Sequence, residues 1–158
     1  MLSVFCLDVD GVMTDGAFHY SSTGKQLKRF GPDDGDALKL MSDRLEIHFF
    51  TADKRGIEIS RARIENDLGY PLHLVASLDR RDWFASRWRL DEVVYMADGF
   101  LDIVALESVG YSIAPSNCSA RIKNIVRYVT PSAGGDRAVA DACFHLASLL
   151  GVDALFRF

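Results

Sequence analysis

The chain has 158 residues, 49% of them hydrophobic, and a formal net charge of -4. This length predicts a single domain over residues 1–158, and because Lys and Arg are scattered without a basic stripe, we expect no nucleic-acid partner. The apolar N-terminal run lacks a basic leader and reaches Asp8 too early for a signal peptide or a membrane span, so we expect a cytoplasmic protein without membrane contact.

Short apolar runs alternate with helical patterns along the chain. The runs cover residues 2–7, 46–50, 71–75, 92–96 and 111–114. Each is too apolar for a strand with one face in water, which is typical of a parallel sheet covered on both faces. Helices are expected at about 35–44, 55–68, 80–89, 100–109, 117–125 and 138–150. The predicted fold class is therefore α/β, a Rossmann-like parallel sheet with helices on both faces.

One segment after the first strand breaks this alternation. Residues 17–20 and 26–30 flank the turn-forming sequence Ser21-Ser22-Thr23-Gly24, which predicts a β-hairpin over about 17–30. Because a lone hairpin is only marginally stable in water, we expect it to pack on the domain or on another subunit.

Polar side chains follow three of the predicted strands. Asp8 and Asp10 follow the first strand, Thr51 the second, and Asp98 and Asp102 the fourth. The carboxyl ends of parallel strands lie at one edge of a sheet, where ligands bind. Clustered carboxylates repel one another unless a cation neutralises them, so we expect Mg²⁺ with Asp8 and Asp98 as ligands.

These residue types suit phosphoryl transfer. Asp8 can attack phosphorus to give an aspartyl phosphate, and Asp10 can protonate the leaving group and then activate water. Thr51 and the backbone N–H groups of the turn through Gly11 can hold the phosphate oxygens. A phosphorylated receiver domain uses similar groups, but its Thr follows the phosphorylated Asp, and here Thr51 precedes the second acidic cluster. The sequence therefore predicts a magnesium-dependent phosphatase.

The motifs resemble those of haloacid dehalogenase superfamily phosphatases, and the matching segments are Asp8-Val9-Asp10-Gly11-Val12-Met13-Thr14, Thr51, and Asp98-Gly99-Phe100-Leu101-Asp102. The resemblance implies that Asp8 is the nucleophile and a metal ligand. It also implies that Asp10 is the general acid/base and a ligand through its carbonyl, that Asp98 is a ligand, and that Asp102 supports the site from behind.

A closer resemblance extends over nearly the whole chain. The hairpin, the segment Gly24-Lys25-Gln26-Leu27-Lys28-Arg29-Phe30 and the late segment Ala133-Gly134-Gly135-Asp136-Arg137-Ala138-Val139 are similar to capless 3-deoxy-D-manno-octulosonate (KDO) 8-phosphate phosphatases. Their relatives act on nonulosonate 9-phosphates. The resemblance implies no cap domain, a homotetramer, and a sugar phosphate of one of these kinds as substrate.

Two departures from that family bear on the site. The family's Thr-Gly-Arg is replaced by Thr51-Ala52-Asp53-Lys54, and the usual Lys before the third helix is missing. Arg80 is the best replacement for this Lys, with Arg81 second and Lys54 a further candidate, although Arg is not isosteric with Lys. These changes keep open the alternative of a degenerate, non-catalytic protein that binds a ligand or serves as a scaffold.

The late segment, residues 133–139, holds two further candidate substrate-binding residues. Gly134 and Arg137 can line a pocket between subunits for a substrate carboxylate, since Arg suits bidentate recognition of such groups. An ordinary loop leading into the last helix explains them equally well.

Overall fold

Six parallel strands form the central sheet of the computed structural model, which describes residues 1–156. In chain order the strands are β1 (Val4–Asp8), β4 (Glu46–Thr51), β5 (Leu72–Leu74), β6 (Val93–Met96), β7 (Tyr111–Ala114) and β8 (Tyr128–Val129), and their order in the sheet is β5-β4-β1-β6-β7-β8. The predicted parallel sheet is confirmed. The sequence did not reveal β8, whose two residues are too short a run for an alternation pattern. The predicted domain extends to residue 158, so its last two residues lie outside the described chain.

A separate antiparallel pair, β2 (His19–Ser21) and β3 (Gly24–Leu27), forms the hairpin that follows β1. It lies within the predicted range 17–30. The pairing register shifts between His19 and Tyr20. Among residues 1–156, none of the helices is long and apolar enough to cross a lipid bilayer.

The helices are α1 (Asp34–Met41), α2 (Ile57–Arg61, continued by wider turns over Ala62–Asp67), α3 (Arg80–Ala85), α4 (Ile103–Ser108), α5 (Ala120–Lys123) and α6 (Ala138–Leu149). Helix α5 begins later than the pattern predicts because the residues before it hydrogen-bond to distant parts of the chain. In the segment expected to begin a helix at 117, Asn117 accepts a hydrogen bond from Gly134 N–H at 2.7 Å. The Ser119 N–H donates to the carbonyl of Asp98 at 3.1 Å.

Strand β1 shows why the sheet is buried on both faces. Phe5 and Leu7 point into a core that includes α1 and α6, whereas Val4 and Cys6 point into a second core beside α3 and α4. Successive side chains of a strand lie on opposite faces, so residues 4–7 of β1 are all apolar and the charged Asp8 comes only at its end. Complete burial of one such side chain stabilises the fold by about 2 kcal/mol.

Candidate active site

The turn after β1 carries the first two acidic residues of the site. Asp8 is the last residue of β1, and its Oδ1 accepts a hydrogen bond from Val9 N–H at 3.0 Å. The chain then turns tightly through Gly11, whose φ of +87° favours glycine. The Thr14 hydroxyl accepts from Gly11 N–H at 3.1 Å and closes the turn. As a result, Asp8 and Asp10 line the same cleft.

The ends of the two neighbouring strands complete this cluster. Thr51, at the end of β4, donates its hydroxyl to Oδ2 of Asp10 at 2.8 Å. Asp98 follows β6 and lies against the turn, because a Cβ atom at Gly11 would overlap its carboxylate. The structure thus brings Asp10, Thr51 and Asp98 together beside Asp8, while their chemical roles stay predictions.

Arg80 is the cation that contacts Asp8. Its side chain is 1% exposed, and its Nη2 lies 3.1 Å from Asp8 Oδ1. Its Nη1 lies 3.0 Å from Asp102 Oδ1 and donates to the Tyr95 hydroxyl at 2.6 Å. Tyr95 in turn donates to Asp102 Oδ1 at 2.6 Å. Arg80, Tyr95 and Asp102 therefore form a closed network behind Asp8.

Burial is the main influence on the electrostatics of the cluster, and neighbouring carboxylates add to it. Burial raises the pKa of Asp8 to about 7, with Asp102 and Asp98 adding to the rise and Arg80 opposing it. Burial likewise raises the pKa of Asp98 to about 6, and the Asp102 charge adds to this. A cation bound beside these carboxyls would favour their ionised forms.

Two side chains and a carbonyl are available for a metal. Within residues 1–156, no three His, Cys, Asp or Glu side chains are grouped as a metal-binding cage. The carboxylates of Asp8 and Asp98, with the backbone carbonyl of Asp10, would leave coordination positions free. That donor set fits Mg²⁺, which keeps several waters and binds substrate phosphate.

The other predicted cations occupy different places. Arg81 is half exposed and pairs with Asp82 at 2.7 Å, away from Asp8. Lys54 is exposed at the cleft mouth. The cleft has a volume of about 520 Å³, and Phe18 and Tyr20 of the hairpin also line it.

A lysine that the sequence did not single out lies deeper in the site. Lys28, the residue after β3, places its Nζ 2.7 Å from Asp10 Oδ1 and 2.9 Å from Asp53 Oδ2. Lys25 pairs with the same Asp53 oxygen. Although burial opposes the change, these two lysines lower the pKa of Asp53 to about 2. The only sequence signal was that Lys28 lies within the segment similar to the family.

Gly134 and Arg137 lie outside the cleft that this chain forms through residue 156. Gly134 packs on the turn after β1, so closely that a Cβ atom there would overlap the Gly11 carbonyl. Arg137 is exposed, and its Nε donates to Asp33 Oδ2 at 2.6 Å. A role for either residue in binding substrate across subunits stays a prediction.

Comparisons with known proteins identify the family of this chain. No family model matches the chain. It is 30% identical over 148 residues to the 3-deoxy-D-manno-octulosonate 8-phosphate phosphatase KdsC of Escherichia coli K12, covering 90% of this chain and 77% of that protein.

Solved structures give the same result. The cobalt-bound deoxy-D-mannose-octulosonate 8-phosphate phosphatase of Haemophilus influenzae superimposes with a TM-score of 0.85 at 25% identity, covering 99% of this chain and 94% of that one. The Moraxella catarrhalis enzyme, in complex with magnesium, phosphate and KDO, shares the fold with a TM-score of 0.82 at 23% identity, over 98% and 91% of the two chains. The resemblance seen in the sequence motifs is confirmed, and this chain is a phosphatase that belongs to the KDO 8-phosphate phosphatase-like group of the haloacid dehalogenase superfamily.

Proposed function

We propose that the chain is a magnesium-dependent phosphomonoester hydrolase that transfers the phosphoryl group of a sugar phosphate to Asp8 and then to water. The observation that carries this proposal is the position of Asp8. Its carboxylate lies at the base of an open cleft, with Arg80 at 3.1 Å, and with Asp10 and Thr51 in the same cluster.

The first step forms a bond between a carboxylate oxygen of Asp8 and phosphorus, and breaks the bond from phosphorus to the sugar oxygen. Asp10 gives its proton to the departing alkoxide. In the second step Asp10 takes a proton from water while that water attacks phosphorus. Inorganic phosphate leaves, and the Asp8 carboxylate is restored.

Several groups would hold the phosphate during both steps. The N–H groups of the turn through Gly11 can donate to the phosphate oxygens, and the Thr51 hydroxyl would turn from Asp10 Oδ2 to do the same when substrate binds. Arg80 offsets the negative charge beside Asp8, since its Nη2 already contacts Oδ1. Mg²⁺ held by Asp8, Asp98 and the Asp10 carbonyl would supply the charge that lets a phosphate dianion approach a carboxylate. The cobalt-bound and magnesium-bound structures of the two relatives support the use of a divalent metal.

The substrate class follows from the relatives. Those named above are KDO 8-phosphate phosphatases. A cleft of about 520 Å³ has room for a sugar phosphate. We therefore propose KDO 8-phosphate or a nonulosonate 9-phosphate as substrate.

We also propose that the chain forms a homotetramer in the cytoplasm. Phe18, Tyr20 and Leu27 of the hairpin are each more than half exposed, which favours burial against another copy. The three cysteines in the structure are free, as expected for a reducing compartment.

The test is steady-state hydrolysis of p-nitrophenyl phosphate and of a panel of sugar phosphates with Mg²⁺, comparing the wild type with Asp8→Asn. We expect metal-dependent turnover by the wild type, its loss on chelation, and no turnover by Asp8→Asn. Asp36→Asn, an exposed change on α1, is the matched control and should retain activity. Background rates for the wild type on every substrate would overturn the proposal and favour a non-catalytic ligand-binding or scaffold protein.

A further inference from the structure

Lys28 is a buried ammonium at the junction between the hairpin and the active site. Its side chain is 1% exposed, yet Nζ has three oxygen partners. These are Asp10 Oδ1 at 2.7 Å, Asp53 Oδ2 at 2.9 Å and the Ser60 hydroxyl at 2.8 Å. The Ser60 contact is a hydrogen bond, whereas the contacts with Asp10 and Asp53 are close ion pairs that neutralise the buried ammonium.

This arrangement fixes the position of Nζ. A buried charge is unfavourable unless it is paired and hydrogen-bonded, so displacing Lys28 from any partner would cost free energy. The packing around it is also tight. A Cβ atom at Gly56 would lie 2.8 Å from Lys28 Cε and would overlap the Asp53 carboxylate.

Asp10 is consequently held through both of its carboxylate oxygens. Lys28 contacts Oδ1, and the Thr51 hydroxyl donates to Oδ2 at 2.8 Å. Two contacts on opposite oxygens restrict rotation of the carboxylate about its bond to Cβ. Thr51 belongs to the sheet, and its one hydroxyl proton would turn to the phosphate when substrate binds. The contact from Lys28, which follows the hairpin strand β3, would then remain on Asp10.

We propose that Lys28 is a positioning residue that orients the Asp10 carboxylate for proton transfer to the leaving group. The inference rests on the proposed function, in which Asp10 gives that proton. When a proton donor rotates freely, the reaction is slower because only a few of the donor's orientations are productive. Small misplacements of the donor have large effects on the rate. Lys28 itself transfers no proton and forms no bond to the substrate.

Lys25 offers a comparison within the same hairpin. Its Nζ pairs with Asp53, as Lys28 does, but it also lies over the Phe18 and Tyr20 rings, with centroids 3.7 and 6.0 Å away. It has no ion pair with Asp10 in the described chain. Removing Lys25 therefore perturbs the hairpin and Asp53 while leaving the contact between Lys28 and Asp10.

The test compares phenyl phosphate with p-nitrophenyl phosphate, which have similar shapes but leaving groups of different basicity. Phenolate needs a proton more than p-nitrophenolate does, so a misplaced donor slows phenyl phosphate more. In Lys28→Met we expect the ratio of kcat/KM for phenyl phosphate to that for p-nitrophenyl phosphate to fall by roughly tenfold. Lys28→Arg, which keeps the positive charge, should restore part of the ratio, and Lys25→Met should leave it at the wild-type value.

A ratio measured on one preparation does not depend on the fraction of enzyme that is folded. If Lys28→Met fails to fold, Lys28→Gln is the second variant, because it keeps hydrogen-bond donors without the charge. It should also lower the ratio of kcat/KM for phenyl phosphate to that for p-nitrophenyl phosphate. An unchanged ratio in the soluble variant would overturn the role of Lys28 even if both rate constants fell. A wild type inactive on both substrates would instead overturn the proposed function.

Discussion

The guanidinium Nη2 of Arg80 lies 3.1 Å from Oδ1 of Asp8, in an ion pair with almost no exposure to water. Although burial opposes it, the neighbouring Tyr95, Asp8 and Asp102 raise the pKa of Arg80, so the guanidinium stays charged. The same side chain therefore stabilises the interior of the domain and sets the charge beside the proposed nucleophile.

Replacing Arg80 with Met should destabilise the protein by about 3 to 5 kcal/mol, because it leaves Asp8 and Asp102 buried without their cation. Arg80→Lys should destabilise the protein by a smaller amount. A single ammonium cannot contact Asp8 and Asp102 together as the two guanidinium nitrogens of Arg80 do. Urea unfolding measures these changes. Arg81→Met is the matched control and should change stability by less than about 0.5 kcal/mol. Equal midpoints for Arg80→Met and Arg81→Met would contradict the importance of the buried pair.

Tyr95→Phe should reduce stability by about 1 to 2 kcal/mol, because the hydroxyl links Arg80 to Asp102 in a fully buried position. The measurement is the free energy of unfolding by urea. Tyr20→Phe, an exposed change, serves as the comparison and should have no effect on stability. If the two variants unfold alike, the hydroxyl of Tyr95 does not stabilise the network.

Gly11→Ala should abolish most of the activity, since the added Cβ would overlap the Asp98 carboxylate and move it from its place beside the turn. Gly24→Ala is a matched control. Its φ of +114° is also positive, but no atom lies within 4 Å of the added Cβ. Both variants carry backbone strain of about 1 to 3 kcal/mol, and only Gly11→Ala should lose kcat/KM. Similar activities in the two variants would show that the position of Asp98 does not matter.

Asp34 should make stability depend on pH below neutrality. Burial raises the pKa of this carboxyl to about 6, although its hydrogen bond from Ala140 N–H at 2.9 Å opposes the rise. The folded protein therefore binds the proton more tightly than the unfolded chain, and stability falls as pH rises from about 4 to about 6. The loss amounts to at most about 3 kcal/mol.

Unfolding of Asp34→Asn across this pH range isolates the effect. Because Asn does not titrate, the stability of the variant relative to wild type should increase as the pH rises through that window. Asp36→Asn, on the exposed face of α1, should show no such change. A constant difference between Asp34→Asn and wild type at every pH would refute the prediction.

The sheet could be predicted from sequence because both of its faces are buried, so β6 and the first four residues of β1 are continuous apolar runs. Asp8, Asp10, Thr51 and Asp98 could be identified as candidates because each lies at or just after a strand end. Parallel pairing then placed them at one edge.

Lys28 and Tyr95 could not be assigned in this way. The contact of Lys28 with Asp10 depends on how the hairpin folds back, and no local pattern specifies that. Tyr95 lies within an apolar run, where its hydroxyl looks like an ordinary feature of an aromatic core residue. Strand β8 was missed because its two residues are too few to show an alternation pattern, so only its pairing with β7 defines it.

The turn that carries Asp8 and Asp10 is also held by residues far along the chain. The Asn117 amide donates to the Gly11 carbonyl at 3.4 Å across 106 positions of sequence, and Gly135 N–H donates to the Val12 carbonyl at 3.2 Å. A ribosome must therefore have made most of the polypeptide before this turn can take its final shape. Nascent chains should show no phosphatase activity until the segment through Gly135 has left the ribosome and packed against the turn.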